Sequence, residues 1–383
     1  MLTIVSVAIL YHVLSIYYST VGGFTVEIPE FVIINSTLDL FVSILVVFFI
    51  KIRFPSFFMN ANSHFQNDYV SFFNKYRIVF LLVLIYTGYL ASQSFQLILL
   101  GIPRHELLQE YGTGGISYML ISGFFKMLFP FVFFFNSNLY LKLIATIGLL
   151  FTIVLTASRS ELMYVIGFYL ILLIFSKSYK KVFWLLFLTI LMIFIAILST
   201  VFLQNRPITD GFGAFSDMLR TVFQYRAYSY YLAEYSIDAS VGGEKVLFPF
   251  FGYIAEYFSR LLSPLSNPID SDFVSYLHVL GHSEVTGRPF LANVLYPWWS
   301  WFYGAFGSFG IILKGLYCFI LLAICVSGRF LFTFVIVLSF IIFGTAGAHP
   351  LLTLTHTFAV ATCFIIDLAV FLNYKFSKGN CKL

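Results

Sequence analysis

Ten runs of mostly apolar residues, each 16 residues or longer, punctuate this chain: 2–19, 31–50, 78–100, 116–135, 139–157, 161–176, 182–203, 303–327, 330–348 and 351–372. A helix needs about 20 apolar residues to cross a hydrocarbon core of roughly 30 Å. Inside lipid the backbone must satisfy its own hydrogen bonds, so runs of this kind read as helices. The expected fold is an all-α polytopic membrane protein of about ten transmembrane helices, with one large, partly helical periplasmic loop. Composition excludes the main alternative. The 383 residues are 60% hydrophobic and only 10% charged, against about 45–50% and about 25% in soluble domains, so a soluble enzyme is ruled out.

Charge placement orients the helices. Cytoplasmic segments are enriched in Lys and Arg. With the N-terminus inside, Lys51, Arg53, Lys75, Arg77, Lys142, Lys177, Lys180, Lys181, Arg329, Lys375, Lys378 and Lys382 all fall inside, twelve of the 22 bases. Short outside loops hold Arg104 and Arg159 with five glutamates. Both termini are therefore expected in the cytoplasm, and the linear plan is 1–203 (seven membrane helices), 204–302 (large outside loop), 303–372 (three membrane helices) and 373–383 (tail). Met1 to Tyr18 has no basic leader, so it reads as an uncleaved first helix. Cys318, Cys325, Cys363 and Cys381 all avoid the outside loops, which predicts no disulfide framework.

The loop from Gln204 to Phe302 far exceeds the usual helix connection of about 2–8 residues, and function is sought there. Gly213 to Tyr235 carries apolar residues at helical spacing and predicts an amphipathic helix on the membrane surface. Phe250 to Leu262 is a second helical patch, after which Pro264 and Pro268 impose an irregular path. YPWWSWFY (Tyr296 to Tyr303) has the composition of an aromatic belt at the headgroups.

The bases are sorted by type as well as by side. Outside positions hold Arg104, Arg159, Arg206, Arg220, Arg226, Arg260 and Arg288 against the single Lys245. Guanidinium binds phosphate and carboxylate bidentately, so this excess points to an anion site. The competing reading is pairing with the nine acids of the loop, Glu256 with Arg260 above all. Arg159 lies in TASRSE (Thr156 to Glu161), a polar break at the outer membrane edge that is costly unless partnered or liganded.

His278, His282 and Glu284 form H-x-x-x-H-x-E. Gly281 interrupts the helix that a zinc pair would need, so no metal is expected. A general base is the better use of these groups, with His282 first and Glu284 and His278 in reserve. Asp270-Ser271-Asp272 reads as a helix cap, and Glu27 and Glu30 as a minor acidic alternative. Within the spans, Asp39, Lys126, Lys314 and Asp367 are functional candidates or structural ion pairs. His349 and His356 read as helix-end packing residues. No P-loop and no internal repeat is present.

TASRSE and the run from Asn293 through WFYGAFGSFG (Trp301 to Gly310), with this architecture, resemble the Wzy-type polymerases of O-antigen, within the GT-C glycosyltransferases. That resemblance implies a metal-independent glycosyltransferase without cofactor, joining polyprenyl-diphosphate-linked glycan donor and acceptor at the periplasmic face of the bacterial inner membrane. Its partners would be membrane lipid and a chain-length regulator, not nucleic acid. Arg159, Arg226 and Arg260 would hold the donor diphosphate. His282, Glu284 and Arg288 would be catalytic, and Arg206, Arg220 and His278 would bind substrate. An O-antigen ligase or another GT-C transferase is the enzymatic alternative, and a lipid-linked oligosaccharide flippase the non-enzymatic one.

Overall fold

The computed structural model describes residues 2–21, 28–101, 116–156, 160–176, 178–202, 227–242, 245–262, 269, 273, 276–282, 289–292, 296–343 and 349–379. They are almost entirely helical. The helices are α1 (Leu2–Val21), α2 (Glu30–Arg53), α3 (Pro55–His64), α4 (Ser71–Lys75), α5 (Arg77–Leu99), α6 (Ile116–Phe134), α7 (Leu139–Thr156), α8 (Ser160–Leu172) and α9 (Tyr179–Phe202). After α10 (227–240) come α11 (Phe248–Phe251), α12 (Tyr253–Leu262), α13 (Trp298–Phe306), α14 (Phe309–Ser327), α15 (Leu331–Ile342) and α16 (Leu354–Gly379). A π-helical stretch (Phe65–Val70) joins α3 to α4, and two short strands, β1 (His278–His282) and β2 (Pro289–Ala292), form an antiparallel hairpin.

Among the described residues, six helices are long and apolar enough to cross a membrane, in α2, α5, α7, α9, α14 and α16. Shorter apolar helices lie at Leu2–Tyr18, Gly123–Phe134, Leu162–Phe175 and Leu331–Ile342. These ten segments coincide with the ten apolar runs. Their ends follow local chemistry. Asn138 accepts a hydrogen bond from the Leu141 amide at 2.9 Å and caps α7, as a short polar side chain does for the orphan amides of a first turn. The polar break in TASRSE falls between the end of α7 at Thr156 and the start of α8 at Ser160.

The chain divides into two compact units whose segments alternate along the sequence. The first comprises Met1–Arg53, Leu219–Ile324 and Val337–Thr357. Here the described part of the long loop packs against membrane helices. Val32, Tyr230, Ala233, Trp299 and Ile311 form one buried cluster, so α2, α10, α13 and α14 share a core. Ser236 and Ser300 bring their hydroxyls to 2.5 Å. Small residues permit this closeness, for a Cβ on Gly304 would strike Ser240. The chain reverses at Gly307 (φ 62), and a Cβ on Gly310 would strike the carbonyl of Phe302; α13 thus folds back along α14.

Two expectations change here. The segment YPWWSWFY is interior, with Tyr296, Trp298, Trp301 and Phe302 fully buried, because α13 is covered by its neighbours and is not spread along the headgroups. The expected surface helix over 213–235 is a buried helix in its described part, where Ala227, Tyr230, Leu232, Ala233 and Ser236 are all enclosed; residues 213–226 lie outside the described residues.

The second unit comprises Phe54–Met218, Cys325–Ile336 and Phe358–Leu383. Within it α7 packs on α5 and α6, α6 on α8, and α8 on α9. Gly148 lets Phe125 lie flat on α7, since any Cβ there would enter that ring. The segment 54–76, which hydropathy alone assigns to a loop, folds as α3, the π-helix and α4 and buries Phe57, Phe58, Phe65, Tyr69 and Phe73. The phenylalanines meet in stacked and edge contacts such as Phe65 with Phe135 at 4.9 Å and Phe73 with Phe80 at 4.8 Å, a geometry aromatic pairs favour.

Candidate functional site

In the first unit the hairpin carries the candidate histidines. His278 opens β1 opposite Ala292 and His282 closes it opposite Pro289, with an irregularity in register between Val279 and His282. The two side chains have different surroundings. His278 is buried, its Nε2 lies 2.7 Å from the Tyr296 hydroxyl, and that hydroxyl donates to the Phe273 carbonyl at 3.3 Å. Tyr235 stacks on the imidazole at 4.0 Å and Tyr276 meets it edge-on at 5.0 Å. Burial pushes the His278 pKa below its ordinary value and that of Tyr296 above its own, so both stay neutral near pH 7. His282 is exposed. The geometry therefore makes His278 a fixed polar anchor under an aromatic wall and places His282 on the exposed end of the strand.

Of the other candidates, Arg260 is exposed on α12 in the same unit. Arg159, Arg206, Arg220, Arg226, Glu284 and Arg288 lie outside the described residues, as do Asp270 and Asp272. Glu284 and Arg288 belong to the connection 283–288 between β1 and β2. Glu256 is engaged inward: its carboxylate accepts from Lys245 Nζ at 3.1 Å and from the Ile269 amide at 3.3 Å. The tyrosines around His278 were not singled out from sequence as its partners. The usable signal is that a buried imidazole requires a polar neighbour.

Of the four intramembrane charges, Asp39, Lys314 and Asp367 have hydrogen-bonded partners, and the Lys126 ammonium stands 4.8 Å from the Tyr164 ring. Lys314 donates to both oxygens of Asp39, at 2.5 and 2.7 Å, and its ammonium stands 5.4 Å from the Trp298 ring. His349 is enclosed, with Nε2 2.9 Å from the Pro249 carbonyl while Nδ1 accepts the Leu351 amide at 2.9 Å. That fixes the Nε2–H tautomer, and burial pushes its pKa down to about 3. His349 thus pins α11 to the turn before α16.

In the second unit, Asp367 takes the Tyr69 hydroxyl at 2.5 Å and the Phe332 and Thr333 amides at 3.2 and 2.7 Å. It supplies from another helix the acceptor that the orphan amides at the amino end of α15 require. Beside it lies a cavity of about 150 Å³ bounded by His64, Asp68, Arg329, Asp367 and Tyr374. The His64 ring is held between Asp68 Oδ2 at 2.5 Å and the Arg329 carbonyl at 2.9 Å. Burial and the adjacent Asp367 carboxylate raise the pKa of Tyr69 well above that of a free phenol.

Compared with known protein families, with curated proteins and with solved structures, the chain gives no match. The functional reading rests on its own residues.

Proposed function

We propose that this membrane protein is a polymerase of polyprenyl-diphosphate-linked oligosaccharide repeats, acting as a metal-independent glycosyltransferase at the periplasmic face of a bacterial inner membrane with both termini in the cytoplasm. The observation that carries the reading is the hairpin His278–Ala292, which presents an exposed His282, a tyrosine-walled His278 and a connection bearing Glu284 and Arg288. Sugar transfer from a lipid diphosphate needs a base for the acceptor hydroxyl and cations for the charge that develops on the leaving group. In this reading His282, or Glu284 beside it, takes the hydroxyl proton. Arg288 with Arg159, Arg226 and Arg260 binds the departing diphosphate, and Arg206 and Arg220 guide the second lipid-linked chain. His278 positions the strand and contributes to the sugar-facing wall. The mutual neutralisation of Asp39 and Lys314 favours an enzyme over a flippase, which would keep such a cation available to a translocating diphosphate.

The test is complementation of a strain that makes only single-repeat lipopolysaccharide, with the glycan ladder read on a gel. Restoration of long chains is the expected result. His282→Ala is expected to abolish the ladder, and full polymerisation by that variant would remove His282 as the base. Normal chains from both Arg159→Ala and Arg288→Ala would overturn the diphosphate assignment. Restored attachment in a second strain, one that lacks the ligase and attaches no repeat, would instead indicate a ligase.

A further inference from the structure

Contacts in the first unit give the depth of its non-spanning helices. Tyr317 stands eight residues into α14, or about 12 Å along a helix that rises 1.5 Å per residue. Its hydroxyl donates to the Phe250 carbonyl at 2.6 Å, and its ring meets Trp298 at 6.2 Å. From another direction, Tyr230 of α10 bonds His12 Nδ1 at 2.8 Å, and His12 Nε2 bonds Thr37 Oγ1 at 3.0 Å. Thr37 is seven residues into α2 and His12 nine residues from the end of α1, again about 10–14 Å along those spans. With the helix ends of α1, α2 and α14 taken as the membrane boundary, these contacts put α10, α11 and the start of α13 below it.

Helix α12, which follows α11 after Gly252, has inverted polarity. Its acid, Glu256, is 3% exposed and bound to Lys245, whereas Tyr257, Phe258 and Leu261 are 51%, 57% and 67% exposed. Phe251 at the end of α11 is also exposed. Ile254, Tyr257, Phe258 and Leu261 fall on one face at i, i+3, i+4 and i+7, with Arg260 at its flank, where a long cationic side chain can keep its head at the headgroups. In water this face would leave a contiguous apolar surface hydrated, which is unfavourable. Non-helical backbone such as Gly252 is tolerated at membrane depth when protein covers it, and Gly252 lies against the Leu351 carbonyl, with Tyr253 N bonded to that oxygen at 2.7 Å.

We propose that residues 247–262 form a re-entrant element whose outward face, Phe251, Tyr257, Phe258 and Leu261, is seated against the acyl chains of the bilayer. The inference does not depend on the enzymatic reading. It makes part of the long loop a membrane-embedded wall beside the hairpin, not a water-facing flap.

The experiment uses full-length protein carrying Cys381→Ser, reconstituted in vesicles of phosphatidylethanolamine and phosphatidylglycerol. Single nitroxides are attached at Phe258→Cys and Leu261→Cys, with signal from the parent subtracted. Ile190→Cys on α9 is the lipid reference and Asn67→Cys the aqueous one. The expected result is collision with oxygen several-fold above that with a water-soluble nickel chelate, matching Ile190. Preferential collision with the chelate would overturn the proposal. Exclusion of both relaxants would also overturn it, because it would mean that protein, such as a second copy of the chain, covers this face. Elution of each labelled protein with the parent on size exclusion shows that it is folded.

Discussion

Asp39 and Asp367 are both carboxylates buried in apolar helices, one in each unit, and they are stabilised by different means. Asp39 is met by a cation, Lys314, through two short hydrogen bonds. Asp367 is met by dipoles, the Tyr69 hydroxyl and two amides at the head of α15. The first solution is an exchangeable pair, since removing both charges removes the problem. The second is a structural joint, since two of the three donors left behind are backbone amides and cannot be mutated away.

That contrast can be broken experimentally. Asp39→Asn or Lys314→Met alone leaves a lone buried charge or its unmatched partner and is expected to cost about 3–5 kcal/mol. The double variant should recover most of the loss in thermal unfolding in micelles; purely additive losses would show that the two groups do not act as a pair. Asp367→Ala is expected to cost about 1–3 kcal/mol for each donor orphaned, with faster hydrogen exchange at the Phe332 and Thr333 amides, and no removal of a cation should restore it. Backbone geometry comes next. Gly252→Ala should cost about 1–3 kcal/mol for occupying φ 50, before the clash with Leu351.

His349, in the turn between α15 and α16, adds a pH test. Its pKa falls on folding, so the unfolded chain binds the extra proton. Its contribution to stability is complete above about pH 6.5 and is lost as pH falls toward its folded value of about 3, following linkage. His349→Gln should flatten that part of the unfolding midpoint against pH, and an unchanged slope would exclude His349 as its source. The smallest expected effect is that of Tyr296→Phe, about 1 kcal/mol for its bonds to His278 and Phe273. A loss comparable with that of Asp39→Asn would mean that the hairpin depends on this joint far more than its geometry implies.

The ten apolar runs were legible because hydropathy over 18 or so residues records the cost of leaving backbone and side chains in lipid, whatever they pack against. Partners were not. Trp298 and Trp301 have the composition of a headgroup belt, yet the reversal at Gly307 turns them inward. Segment 54–76 reads as a polar connection because Asn60, Asn62, Asn67 and Asp68 dilute it, although every few residues a phenylalanine or tyrosine reaches the core. At the site, the histidine pair was visible as a pattern, but its division into a buried His278 and an exposed His282 depends on strand pairing and a bulge. Spacing along the chain does not encode those features.

The π-helix at Phe65–Val70 gives segment 54–76 one residue more than an α-helical winding would use. Its face carries Asp68 toward His64 and Tyr69 toward Asp367 at once. The sensitive edit at this place is therefore a change in count. Deleting Asn67, an exposed residue, would let the stretch rewind as an α-helix with the downstream register kept, and would set Asp68 three residues from His64 in place of four, shifting the carboxylate that holds that ring while leaving every contacting amino acid in the chain.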